Sequence, residues 1–188
     1  KRFWLIDKIN IMQEITIDSI RVSLSNYQRV VILKLKSKDL YIPIWVGSNE
    51  ADSIAVKLQK VNLPRPLTHD LMISLFERLE VSIEYVLVDS MKNETFFAKI
   101  AMKINDKIEM LDSRASDAIA LAVRASCPIY VNDDVVNNVG VSLDHMAKTA
   151  QNKSQKSLIN EKQSISNDID FSEFSDFINS LDLDNLGK

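Results

Sequence analysis

Apolar and polar residues alternate from Ile15 to Leu24 in "QEITIDSIRVSLS", the period of a strand with one buried face. "RVVILKLK" and "LYIPIWVG" follow as β-branched and aromatic runs and predict two further strands. Pro43 lacks an N–H, so it suits an edge or a strand entrance. The period then lengthens. Ala51, Ile54, Ala55 and Leu58 share one face of a helix over roughly 49–60, with Ser48 as its N-cap. Leu71, Met72, Leu75, Phe76 and Leu79 mark a second amphipathic helix after Thr68. Strands follow near 81–90 and 94–104 across the polar turn "KNE", and a tight "NDK" turn leads into a short strand at 107–111. A third helix covers about 115–126, "PIYV" forms a last strand, and a helical turn near 133–139 precedes Gly140. Meander strands interleaved with helices predict an α+β domain: a mixed, mostly antiparallel sheet with about three helices.

A faint echo runs through this pattern. "IPIWVGSNEADSIAV" and "IEMLDSRASDAIAL" both pass from a strand through Ser and acidic residues into a small-residue helix. Aligning Asp52 with Asp117 also aligns Ile54 with Ile119 and Ala55 with Ala120. A duplicated strand–helix unit and a chance likeness of two helix starts explain this equally well.

The domain is expected over 12–146. Residues 1–11 read as an extension upstream of it, because Met12 opens the strand pattern. From about 147 to 188 Lys, Ser, Asn, Gln and Asp dominate, a composition that predicts a flexible acidic tail. Within it Phe171, Phe174, Ile178 and Leu181 recur at helical spacing, which predicts a short amphipathic helix over 171–182 suited to docking a protein partner. Net charge is −3, and from Asn152 onward four lysines face seven acids, so residues 1–151 carry 19 of each sign. The body is neutral. Any nucleic-acid contact therefore needs a local patch rather than a global field.

One cysteine, Cys127, excludes an internal disulfide, and it has no ligand neighbours at metal spacing. No apolar run approaches the ~20 residues that span a bilayer, so no membrane partner is expected and a cytoplasmic location is. Gly-rich phosphate loops, G-x-S-x-G, H-E-x-x-H and the dinucleotide fingerprint are all missing, so no organic cofactor is expected.

Candidate chemistry concentrates in two stretches. "NLPRPLTHDL" (62–71) holds half of the chain's four prolines and one of its two histidines. Prolines on both sides stiffen the backbone around Arg65, which could contact a phosphate. Thr68 is expected to cap the next helix, and His69 and Asp70 fall in its first turn, where N–H groups and the dipole favour anions. There His69 is a candidate general acid or base. In "LDSRASDAIALA", Asp112 ends a strand, Arg114 follows, and Ser116 and Asp117 open a helix. Two carboxylates and an arginine suit a divalent metal, Mg²⁺ or Mn²⁺, together with a phosphate. Glu50 begins the first helix in the same manner. For every one of these, helix capping or a structural ion pair is the competing explanation.

Taken together, "LYIPIWVGSNEA" (40–51), "PRPLTHDL" (64–71), "DSRASDAIALAVR" (112–124) and "PIYV" (128–131) resemble the bifunctional nuclease domain family over roughly 13–143. The resemblance implies a compact α+β domain that self-associates, most simply as a dimer, and cleavage of RNA and single-stranded DNA. The family's polar positions fall on Glu50, Arg65, Thr68, His69, Asp70, Asp112, Arg114, Ser116 and Asp117. Where the family has D-A-R-P-S-D, this chain has Ser113 and Ala115, losing a helix-starting proline but no functional group.

Two functions follow. In one, the chain is a nuclease: Asp112 and Asp117, with Glu50 or Asp70, hold a metal, His69 handles a proton, and Arg65 and Arg114, with Thr68 and Ser116, bind phosphate. In the other it is a non-enzymatic regulatory module whose polar motifs are structural and whose tail docks a partner.

Overall fold

The computed structural model describes residues 12–22 and 27–142. The expected tail helix over 171–182 and the extension over 1–11 lie outside them. Eight strands and four helices follow in the order β1 (Met12–Val22), β2 (Arg29–Leu35), β3 (Leu40–Val46), α1 (Ser48–Leu58), α2 (Thr68–Arg78), β4 (Ser82–Lys92), β5 (Thr95–Ile104), β6 (Lys107–Arg114), α3 (Ala115–Ala125), β7 (Ile129–Asn132), α4 (Asp133–Val139) and β8 (Val141–Ser142). The helical turn expected near 133–139 is a fourth helix.

All eight strands join one sheet in the order β6-β5-β4-β7-β1-β2-β3-β8. Among the described strands only β4 and β7 run parallel, as Val86, Leu87 and Val88 pair with Ile129, Tyr130 and Val131. The β4–β5 and β5–β6 connections are tight. Asn93–Glu94 and Asn105–Asp106 each put two successive residues at positive φ, as a two-residue hairpin turn requires. Pro43 pairs opposite Ile32, while β8 covers only Leu40 and Tyr41, so Pro43 lies beyond the part of β3 that β8 pairs.

α3 explains how the site is held. Ala118, Ile119, Ala120, Leu121 and Ala122 are all buried, because this helix packs on β4, β5 and β6 and also against α1 and α2. Its alanines let neighbouring helices approach closely, and Ile119 and Leu121 contribute about 2 kcal/mol each by burial. Together with Val31, Leu33, Ile42, Ile44, Val86 and Ile100 they form the core. β3 runs directly into α1, and β6 directly into α3. The two strand–helix units related by the sequence echo therefore meet through their helices.

Candidate functional site

The first turns of α1, α2 and α3 line one open cleft of about 800 Å³, contributed by Asn49 and Glu50, by Thr68 and His69, and by Asp117 beside Arg114. α1 and α2 each begin one residue earlier than the sequence suggests, while α3 begins at Ala115 as expected. Ala51 N–H bonds to Gly47 O at 3.0 Å and Leu71 N–H to Leu67 O at 2.9 Å. The caps are therefore Gly47, Leu67 and Arg114, and no cap side chain bonds its helix. Ser48 and Thr68, expected as N-caps, are instead the first helical residues. The early N–H groups of three helices are left without a cap side chain at one place, an arrangement that favours an anion.

A chain of hydrogen bonds joins the helices behind this surface. Arg124 has a side chain only 2% exposed, and its Nε bonds Asp70 Oδ1 at 2.7 Å. Its Nη1 donates to Ala120 O at 3.0 Å, and its Nη2 to Ser53 O at 3.2 Å and Ser53 Oγ at 3.0 Å. Ser53 Oγ in turn lies 3.0 Å from His69 Nδ1, and His69 Nε2 lies 3.0 Å from Asp117 Oδ1. Asp117 ionises readily: burial opposes its charge, but hydrogen bonds from Arg114 and His69 outweigh that and hold it below the usual Asp value. Against an ionised carboxylate, Nε2 must carry its hydrogen. In the neutral ring Nδ1 then accepts, and the Ser53 hydroxyl donates to it.

Arg114 closes the far side. Its Nε and Nη2 bond Asp117 at 2.7 and 3.1 Å, and Nη2 also reaches Glu50 Oε1 at 2.9 Å. Its side chain is 67% exposed and Nη1 makes no bond among the described residues, so the guanidinium is fixed yet presents a free edge. Asp112 is exposed at the cleft wall and forms no ion pair among the described residues.

The nine residues singled out from sequence thus divide. Glu50, Thr68, His69, Asp112, Arg114 and Asp117 line the cleft together. Asp70 does not. It binds Arg124 through Oδ1 and the Leu67 N–H through Oδ2 at 2.9 Å, and these bonds outweigh burial to keep it below the usual Asp value. Ser116 is buried in the first turn of α3, and Arg65, between Pro64 and Pro66, is exposed outside the cleft wall. Glu50, Asp112 and Asp117 do not form a metal-ligand set. Among the described residues no three His, Cys, Asp or Glu side chains come together for one, and Glu50 and Asp117 are engaged by Arg114. The expected divalent ion does not fit these side-chain positions.

Sequence reasoning missed Ser53 and Arg124. The signal for Arg124 was present: it is the one cation in α3, a helix otherwise built to be buried on nearly every side, and such a residue needs an internal partner.

The bifunctional nuclease domain profile matches residues 31–144, from β2 past β8, and so takes in every motif around the cleft. The chain belongs to the bifunctional nuclease domain family. A Mycobacterium tuberculosis (strain H37Rv) protein, named only as uncharacterized, is 37% identical over 143 residues, covering 74% of this chain and 85% of its own. Bifunctional nuclease 1 of Oryza sativa subsp. indica is 27% identical over 117 residues, 60% of this chain and 35% of that protein. Bifunctional nuclease 2 of Arabidopsis thaliana is 27% identical over 135 residues, covering 69% and 41%. The bifunctional nuclease domain here thus spans well under half of those two plant relatives.

Proposed function

We propose that the cleft binds and hydrolyses a phosphodiester of single-stranded nucleic acid, RNA or DNA. The observation that carries this is the meeting of three helix starts without side-chain caps and the free edge of Arg114 at one open surface. A phosphate there meets N–H donors and a guanidinium already held by Glu50 and Asp117, so little ordering is needed when charge develops. Asp112, exposed and without an ion-pair partner among the described residues, is the carboxylate placed to take a proton from the attacking water. The P–O bond to the leaving sugar oxygen then breaks. The proton taken up by Asp112 passes to that oxygen, while the His69 Nε2–H holds the Asp117 carboxylate that positions Arg114. The plant relatives named bifunctional nuclease support the same chemistry.

One observation favours a second function. His69, Asp70, Glu50, Arg114 and Asp117 are all bonded to each other or to Ser53 and Arg124, so the motif also clamps three helices together, as a non-enzymatic interaction module requires. The exposed Leu71 and Leu75 on α2, with Leu79 just past its end, support self-association, a dimer first, which light scattering after gel filtration tests.

The deciding experiment is cleavage of labelled single-stranded RNA and DNA by the full chain with Mg²⁺, with Mn²⁺ and with chelator, beside Arg114→Met shown to be folded. Cleavage lost in the variant establishes the hydrolase and its site. Equal traces in both proteins would leave the interaction module.

A further inference from the structure

The cleft that offers a phosphate its anchors offers a long strand almost nothing. Its lining holds four carboxylates, Glu50, Asp52, Asp112 and Asp117, against one guanidinium, Arg114. Arg29, the nearest cation on β2, is tied to Asp52 at 3.4 Å. No Phe, Tyr or Trp lines the cleft; its apolar wall is aliphatic, from Val56, Leu63, Leu67, Met72, Leu111 and Leu121. Proteins that track single strands combine a basic groove with aromatic side chains on which successive bases stack. Both parts are missing here among the described residues.

We infer that the substrate is a short phosphodiester, a dinucleotide or the terminal linkage of a strand, taken one phosphate at a time, and that chain length beyond it adds no affinity. This rests on the proposed hydrolytic function and narrows its substrate. Arg114 neutralises the bound phosphate, the aliphatic wall covers one sugar and base without stacking, and the surplus carboxylates repel a following polyanion.

Salt makes the inference quantitative. For single strands the slope of log K against log salt is about −0.7 per neutralised phosphate, so one contact predicts a ~3-fold loss between 50 and 200 mM salt. Six contacts along a track predict a ~300-fold loss.

The test compares a ribodinucleoside monophosphate with an unstructured 20-nucleotide RNA, using the full chain at both salt concentrations. Expected are kcat/KM values per cleavable terminus within about threefold of each other, each falling ~3-fold with salt. A 20-mer preferred by 30-fold or more, or a salt loss of a hundredfold, overturns the inference while leaving the hydrolase intact. Where neither is cleaved, the hydrolytic function fails, and binding decides separately by NMR titration of the Arg114 Nε–H. A dinucleotide that shifts this resonance as strongly as the 20-mer, with the weak salt slope, upholds the short-ligand inference. A resonance that only the 20-mer moves, or that neither moves, overturns it.

Discussion

Arg124 and Asp70, 54 residues apart in sequence, meet at 2.7 Å behind the cleft and lock α3 to the start of α2. The guanidinium is almost wholly removed from water, and among the described residues Asp70 is its one carboxylate partner. Breaking a buried pair by removing one member costs about 3 kcal/mol, because the other charge is stranded. Asp70→Asn is expected to lose about that much in urea unfolding at pH 7. A loss under about 1 kcal/mol would show that the pair is not holding the helices.

Ser53 passes that restraint to His69. Ser53→Ala removes the donor to Nδ1 and one acceptor for Arg124, and is expected to cost about 1–2 kcal/mol while leaving the fold intact. The 15N resonance of His69 Nδ1 should move towards that of a ring nitrogen without a hydrogen bond, with Nε2 still protonated against Asp117. An unmoved Nδ1 resonance would mean that the hydroxyl does not donate to it.

Gly47 is needed for a local reason that is not backbone strain, since its φ is −62°. A Cβ there would meet the Glu50 carboxylate, a flexible group that can swing away. Gly47→Ala is therefore expected to change stability by less than about 1 kcal/mol yet free Arg114 from Glu50. The check is thermal melting beside the Arg114 Nε–H resonance. A melt lowered as much as that of Asp70→Asn would contradict the local effect.

Stability should fall with acid. Asp70 and Asp117 both have folded pKa values below the ordinary Asp value of 3.8, so each contributes stability that is present above 3.8 and lost as pH falls through its lower folded value. Asp117→Asn should flatten the acid limb of a stability–pH curve, because Asn does not titrate there. An unchanged limb would show that Asp117 is not held by Arg114 and His69 in solution.

Much of this was legible in the sequence, for identifiable reasons. β4, β5 and the two Asn-led turns follow from apolar runs rich in β-branched and aromatic residues broken by polar pairs, and α3 from its run of small residues. Glu50, His69, Asp112, Arg114 and Asp117 share the cleft because each lies near a strand end or a helix start, and the sheet order brings those ends together. Roles were harder to read. Asp70 looked like its neighbour His69, but on a helix adjacent residues diverge by about 100°, and Asp70 turns to Arg124 instead of the cleft. Ser53 was invisible because a serine within an amphipathic helix resembles any polar position. Its meaning comes from partners 16 and 71 residues away.

The most direct measurement of the central claim is phosphodiester cleavage by Asp112→Asn. Asp112 is exposed and forms no ion pair among the described residues, so the substitution separates chemistry from stability. The predicted result is a fall of about 100-fold or more in kcat/KM, the range for removing a general base, with an unchanged melting temperature. An unchanged rate in a folded variant would contradict Asp112 as the base and, with it, the cleft chemistry built around Arg114.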